Sequence, residues 1–256
     1  MNKSARLGQN FLINKGVAEK IVKKFFPVHG IILEIGAGNG ILTDFLYKYR
    51  KGNKIIAVEF DRELFVKIEK RYGYDFEVIN ANILEINLND NFSDKDINLI
   101  SNVPYYISKD IIDWIIFNRN KIKKGIFMMQ KEFVNKLIKK GDSAQSILFG
   151  FLFYSKRLFD VNPGSFYPKP KIVSSVFLFE KIIRKKREEL DIKGFYAFLK
   201  KCFMNRRKIL INNLSNVLNR ELLKSILIKN NINLNVRAEE LKLENFLEIY
   251  NKVFID

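Results

Sequence analysis

Asn102-Val103-Pro104-Tyr105 closes the apolar run Ile97-Asn98-Leu99-Ile100. The run reads as a buried strand. The tetrapeptide reads as the loop leaving its carboxyl end, the edge at which open α/β sheets bind ligands. The four residue types suit one task, which is holding an exocyclic amine on a flat aromatic base. Asn102 offers a side-chain carbonyl. Pro104 biases Val103 towards an extended backbone, so the Val103 carbonyl can turn to the same amine, and Tyr105 offers a ring face for stacking. In isolation the stretch is also an ordinary strand-end turn, because Asn and Pro are common turn residues. The neighbouring strand ends have to decide between the two readings.

Those ends carry matching chemistry. Ile31–Ile35 reads as a strand, Gly36-Ala37-Gly38-Asn39-Gly40 as a turn, and Ile41 to Leu46 as the start of a helix. Glycines let a backbone approach a ligand closely, and a helix N-terminus favours negative charge. The next strand, Lys54 to Val58, ends at Glu59, nineteen residues beyond Gly40. An acidic group at about that distance can accept both hydroxyls of a ribose. The spacing G-x-G-x-G after Glu34 departs from the dinucleotide fingerprint G-x-G-x-x-G and is more typical of S-adenosylmethionine enzymes. A third strand, Phe76 to Ile79, leads to Asn82, whose amide could meet an adenine amine. A ligand-free turn remains the competing reading of the glycines.

The chain has 256 residues, 47% of them hydrophobic, enough for one large domain with a small second one. Lys and Arg number 45 against 28 Asp and Glu, a net charge of +17. That points to a polyanionic partner, nucleic acid first and an anionic membrane second. An AT-biased genome would also raise the count of Lys, Asn and Ile. One cysteine, Cys202, and one histidine, His29, exclude an internal disulfide, a Cys/His zinc site and a Ser-His-Asp triad. The polar N-terminus lacks a signal-peptide core, and no apolar run of about 18 residues exists. The expectation is a soluble cytoplasmic protein.

The remaining elements follow from periodicity. Gly8 marks a turn, and Val17 to Phe26 has helical spacing. Ser108 and Asp110 are plausible caps for a helix through Ile116. Gly125 to Met129, Ser155 to Val161 and Val173 to Phe179 read as strands, which brings the count to seven. Phe133 to Ile138 and Ser143 to Phe153 read as helices. In the loop Ser165 to Lys171, Lys169 and Lys171 suit phosphate. Phe166 can stack a base there or plug the core. Lys181 to Arg187 is a charged linker without an apolar face. Beyond it lie helical segments, Phe195 to Leu214 first, with the basic cluster Arg206-Arg207-Lys208, and then segments near Leu222–Ile228 and Leu243–Val253.

Six motifs follow one another in the order of one family. They are Gln9-Asn10-Phe11-Leu12, Glu34-Ile35-Gly36-Ala37-Gly38-Asn39-Gly40 with Leu42-Thr43, Glu59-Phe60-Asp61, Asn102-Val103-Pro104-Tyr105 with Ile107-Ser108, Gln130-Lys131-Glu132, and Pro168-Lys169-Pro170-Lys171-Ile172-Val173-Ser174-Ser175. By them the chain resembles the ribosomal RNA adenine dimethyltransferases over roughly residues 3–214, and within them the KsgA type, which acts on small-subunit rRNA. The resemblance implies a Rossmann-like class I S-adenosylmethionine-dependent methyltransferase domain over residues 1–181, with a seven-stranded, mostly parallel sheet. It implies a small all-α RNA-binding domain over residues 182–256. The implied reaction moves methyl groups from S-adenosyl-L-methionine to N6 of two adjacent adenines near the 3′ end of 16S rRNA, two per base, as part of small-subunit biogenesis.

By motif position, Asn10, Leu12, Gly36, Glu59, Asn82 and Asn102 line the cofactor, while Asn102, Val103, Pro104, Tyr105 and Phe166 hold the base. Lys169, Lys171, Arg206 and Arg207 are candidates for phosphates, and no metal is called for. The implied partner is small-subunit rRNA within a pre-ribosomal particle, met by a monomer with no membrane attachment. Three departures stand out. Asn82 replaces the usual Asp, Ala37 sits where Gly-Pro-Gly is frequent, and Val103 replaces Leu. Three other readings compete. One is a large-subunit dimethylase of the macrolide-resistance type, against which Lys131 and the Arg206-Arg207-Lys208 helix lean. The second is a non-catalytic assembly factor. The third is a nicotinamide oxidoreductase, for which the third-glycine spacing is absent.

Overall fold

The computed structural model describes residues 9–92, 96–139, 141–183, 190–215 and 217–254. The turn expected at Gly8 and residues 184–187 of the expected linker lie outside them. The chain divides into two compact units, one of residues 1–135 and 153–181, the other of residues 136–152 and 182–256.

The first unit opens with a short strand, β1 (Phe11–Leu12), and helix α1 (Lys15–Phe25). Asn14 caps that helix, its Oδ1 accepting the Val17 N–H at 3.0 Å. Strand and helix then alternate through β2 (Ile31–Ile35), α2 (Ile41–Tyr49), β3 (Lys54–Glu59), α3 (Arg62–Tyr72) and β4 (Glu77–Asn80). A short α4 (Leu88–Asn91) leads to β5 (Ile97–Asn102), α5 (Ser108–Phe117) and β6 (Ile122–Gln130). Helix α6 (Lys131–Ile138) starts in the first unit and ends in the second, to which α7 (Ala144–Leu152) belongs. The chain returns to the first unit with β7 (Phe153–Val161), β8 (Phe166–Tyr167) and β9 (Ser174–Lys181).

Seven strands form one sheet in the order β4-β3-β2-β5-β6-β9-β7. From β4 to β6 every pairing is parallel, and β9 runs antiparallel to both of its neighbours. All five residues of β2 are buried. This is why the strand reads as an apolar run broken only by Glu34, as strands covered on both faces do. The expected mostly parallel, Rossmann-like sheet is the sheet observed.

A separate pair joins β1 to β8, with Phe11 opposite Tyr167 and Leu12 opposite Phe166. Successive side chains on a strand point to opposite faces, so one aromatic goes in and the other out. Phe166 goes in. It is 3% exposed and belongs to an apolar cluster with Leu12, Ile21, Phe25, Met128 and Val176. The base-stacking role expected of Phe166 is therefore corrected to that of a core plug, and the exposed ring is Tyr167. The caps expected at Ser108 and Asp110 are also absent. A tight turn over Tyr105–Ile107 feeds the backbone into α5 already curved, with the Ile107 N–H on the Pro104 carbonyl at 3.2 Å, so no extended residue precedes the helix to offer a side chain.

In the second unit, α8 (Ile192–Cys202), α9 (Leu210–Leu214), α10 (Arg220–Lys229) and α11 (Leu243–Phe254) follow. The single helix expected over Phe195 to Leu214 is two. Buried Asn213 supplies the reason. Its Nδ2 donates to the carbonyls of Cys202 at 2.8 Å and Asn205 at 3.1 Å, satisfying groups that a continuing helix would have paired. Arg206, Arg207 and Lys208 thus lie in the connection, not on a helix. The Phe195 and Tyr250 rings meet edge to face at 5.2 Å between centroids in this unit's core.

Phe166→Ala should cost about 3–5 kcal/mol of stability, as emptying a packed aromatic site does. Urea denaturation measures it, and a loss under about 0.5 kcal/mol would mean that the ring is not a plug.

Candidate active site

Four parallel strand ends and the β1 segment converge on one cavity. Asn10, Leu12, Gly36, Glu59, Asn82 and Asn102, predicted from separate motifs, all line it, and so does Pro104. Val103, Tyr105 and Phe166 are not part of its wall.

The glycine turn shapes one side. Gly38 and Gly40 have φ of 58° and 82°, a left-handed backbone that disfavours any Cβ. A Cβ on Gly40 would come within 2.8 Å of Ile68 Cδ1, and one on Gly38 would press on the Phe11 ring at 3.4 Å. The Gly38 N–H donates to Glu59 Oε2 at 2.8 Å, and the Asp61 N–H to Glu59 Oε1 at 2.9 Å. Both carboxylate oxygens are thus fixed, each with acceptor capacity left. Burial pushes the Glu59 carboxyl above its ordinary range, and the N–H donors of Asp61 and Gly38 oppose that shift. Asn82 caps the turn over Ile83–Glu85, its Oδ1 accepting from Leu84 N–H at 3.1 Å and its Nδ2 donating to Glu85 Oε1 at 3.0 Å. Both ends of its amide therefore have local partners.

The opposite wall is Asn102. Its Nδ2 donates to the Asn10 carbonyl at 3.2 Å, which leaves Oδ1 as the accepting end. The Val103 N–H is held by the Met128 carbonyl at 3.1 Å, so this peptide is fixed to β6. Tyr105 is partly buried, and burial raises its phenol.

The sequence reading gave no role to two exposed aromatics of the lining. Phe60 is 61% exposed and Tyr106 is 55% exposed. Burial, and then the nearby Glu59 carboxylate, push the Tyr106 phenol up. The signal available was position, since Phe60 lies within the Glu59-Phe60-Asp61 motif and Tyr106 directly follows Tyr105. Gln9 also lines the cavity, and its Oε1 is buried with no partner among the described residues.

Of the basic candidates, Lys169, Lys171 and Arg207 are exposed. Arg206 is exposed too but engaged. Its Nη2 donates to the Asp142 carbonyl at 2.9 Å and lies 3.5 Å from a Glu239 carboxylate oxygen. It braces its own unit as much as it offers charge.

Beneath the glycine turn lies a buried acid. Glu34 is 1% exposed, accepts one hydrogen bond from Thr43 Oγ1 at 2.8 Å, and leaves Oε1 without a partner among the described residues. Burial raises its carboxyl to about 8.

A family model described as ribosomal RNA adenine dimethylase matches residues 1–254. The chain is 38% identical over 244 residues to ribosomal RNA small subunit methyltransferase A of Mycoplasma mobile, covering 93% of this chain and 92% of that protein. It is 35% identical over 257 residues to the protein of the same name from Mesomycoplasma hyopneumoniae, covering 97% and 96%. A solved dimethyladenosine transferase from Plasmodium falciparum matches with a TM-score of 0.75 at 23% identity, covering 94% of this chain and 98% of that one. The 23S rRNA methyltransferase ErmE matches with a TM-score of 0.70 at 19% identity, covering 95% and 99%. At these identities the two structures establish the fold alone, the Rossmann-like methyltransferase fold with helices appended.

Glu34→Gln should change how stability depends on pH. The folded-state value of about 8 lies above the ordinary 4.5, so the unfolded chain ionises first. Glu34 therefore destabilises the fold progressively as pH rises from about 4.5 to about 8, with the full effect above 8. The glutamine variant should gain stability relative to wild type across that window. Denaturation midpoints at pH 5 and pH 9, read with both proteins, measure the gain, and a constant difference would show that Glu34 ionises normally.

Proposed function

Because the chain belongs to the ribosomal RNA adenine dimethylase family, we propose that it transfers methyl groups from S-adenosyl-L-methionine to N6 of two adjacent adenines near the 3′ end of small-subunit rRNA. The observation that carries this reading is the convergence of Asn10, Leu12, Gly36, Glu59, Asn82 and Asn102 on one cavity, with the Asn102 amide held by the Asn10 carbonyl.

The cavity wall fits the cofactor's chemistry. The fixed Glu59 carboxylate keeps acceptor capacity for ribose hydroxyls, and the glycine turn at the head of α2 lets backbone approach a carboxylate. Asn82, with Ala81 and Ile83 beside it in the wall, would border the adenine. Its amide is already tied to Leu84 and Glu85, so the border is one of shape and backbone. S-adenosylmethionine supplies an electrophilic methyl carried on a sulfonium.

The rest falls to the chain's own groups. An adenine amine is a poor nucleophile because its lone pair is delocalised into the ring. Asn102 Oδ1 and the Val103 carbonyl would accept hydrogen bonds from its N–H groups, draw them out of the ring plane and aim the lone pair at the methyl. The sulfonium S–C bond would break as the N–C bond forms, S-adenosylhomocysteine would leave, and the N6 proton would pass to water. No titrating base is required, and positioning supplies much of the acceleration. The base must leave its stack to enter, and Tyr105 receives it, a stacking contact worth roughly 1–3 kcal/mol. Lys169, Lys171 and Arg207, with Arg206 in a bracing role, neutralise phosphates, so binding falls steeply with salt.

In this reading residues 1–181 form the methyltransferase domain and residues 182–256 the RNA-binding helical domain. The protein acts as a monomer in the cytoplasm on a pre-ribosomal particle. Among the described residues no helix is long and apolar enough to cross a membrane.

The test is methyl transfer from labelled S-adenosylmethionine to small subunits lacking adenine dimethylation, with large subunits as the comparison. Paired primer-extension stops on adjacent adenines near the small-subunit 3′ end are expected. Label confined to large subunits would overturn the substrate, and cofactor binding without transfer would overturn the enzyme. Asn102→Ala should lower turnover by about 10²–10³-fold, the range for deleting one preorganised hydrogen-bonding group at a reacting centre. Normal turnover in that variant would remove the amine clamp.

A further inference from the structure

Strand β9 begins with two serines, and the reading above gives neither of them a task. Ser174 is fully buried, and its hydroxyl shares a hydrogen bond of 2.7 Å with the phenol of Tyr105. The partners are 69 residues apart in sequence. Ser174 is itself held from both sides, because it pairs with Gln130 of β6 and with Val161 of β7. Ser175, the next residue, donates to Asp160 Oδ1, and Lys131 Nζ stands 2.8 Å from Asp160 Oδ2. The start of β9 is thereby tied to the ends of β6 and β7 by side chains as well as backbone. It is the rigid part of this edge, and Tyr105 is attached to it by its tip.

A tyrosine has two soft torsions, and its part-buried hydroxyl takes a polar partner whether or not the ring has a further task. Fixing the far end settles where the long axis of the ring points, because the hydroxyl lies on that axis. We propose that Ser174 is a positioning residue, holding the phenol of Tyr105 so that the ring is set for the target base before RNA arrives. The proposal rests on the reading of Tyr105 as the stacking residue. It assigns the serine of the Val173-Ser174-Ser175 stretch to the substrate side of the reaction, through Tyr105 and without contact to the base. A platform set in advance needs no ordering when the flipped base lands on it. A bond that merely fastened the loop to the sheet would affect folding and leave the saturated reaction alone.

The test removes either partner of the bond. Ser174→Ala and Tyr105→Phe should each keep wild-type affinity for S-adenosylmethionine, read by direct titration. Each should lower kcat on undermethylated small subunits about five- to tenfold, the cost of one hydrogen bond. The double variant should fall no further than either single one, because both changes delete the same interaction. A double loss equal to the product of the single losses would overturn the proposal. So would a lower melting temperature in Ser174→Ala with kcat unchanged. Should Ser174→Ala not fold, Tyr105→Phe still decides, because full turnover in that folded variant excludes a role for the bond. Wild-type turnover in Tyr105→Ala would instead remove the stacking reading itself.

Discussion

In the parallel ladder Ile35 pairs with Val58 on one side and with Ser101 on the other, Val58 pairs with Ile79, and Ser101 with Phe127. This register brings the ends of four strands to one edge. Gly36, Glu59, Asn80 and Asn102 each stand at or just past the end of a strand in that alignment. A slip of one residue would reverse the faces of every side chain in the slipped strand. Because β2 and almost all of β3 and β5 are buried and largely apolar, such a slip would turn Glu34 or Ser101 against the wrong packing layer. Hydrophobic burial thus sets the alignment, and the alignment sets the distances among the polar groups of the site.

The site is closed by a second, smaller pairing. The β1–β8 pair carries Gln9 and Asn10 to the cavity, and the Ile13 N–H reaches the Ser165 carbonyl at 2.8 Å to hold the end of that segment. Phe166 anchors the pair from within the core. With the backbone of Asn10 in place, its carbonyl can take the Asn102 Nδ2 and decide which end of that amide faces the cavity. An aromatic plug and a short strand pair therefore act on the chemistry at a distance, by orienting one amide. The charges follow a similar division. A chain with a net charge of +17 keeps two carboxyl groups, Glu34 and Glu59, buried near the glycine turn, while the phosphate candidates Lys169, Lys171 and Arg207 sit on exposed connections. The one is suited to a neutral, hydroxyl-bearing ligand part, the other to phosphate.

Much of this was legible in local sequence because local physics decides it. Strands covered on both faces must be apolar runs, turns at positive φ favour glycine, and Asn or Asp caps a helix. Ile31–Ile35, apart from Glu34, and Gly36 to Gly40 obey these rules within a few residues of chain. The errors arose where the deciding partner is distant. Apolar spacing continues from Phe195 to Leu214, yet Asn213 folds back on the carbonyls of Cys202 and Asn205 and ends the helix early. Phe166 and Tyr167 are adjacent aromatics on a two-residue strand, and only pairing with β1 determines which of them is buried.

By itself, then, the sequence determined the order of the elements, the strand ends that carry polar groups and the family to which those motifs belong. Each depends on residue type and short spacing, which are properties of the chain before it folds. The tertiary structure decided which aromatic is a plug, that Arg206 braces its own unit, that Asn82 spends its amide on a local cap, and that Tyr105 is tethered to Ser174. Each of these is settled by a hydrogen bond or a packing contact that exists only after the chain has folded. A side chain's role depends on its partner, and the partner's identity is not encoded in the spacing of the residue itself.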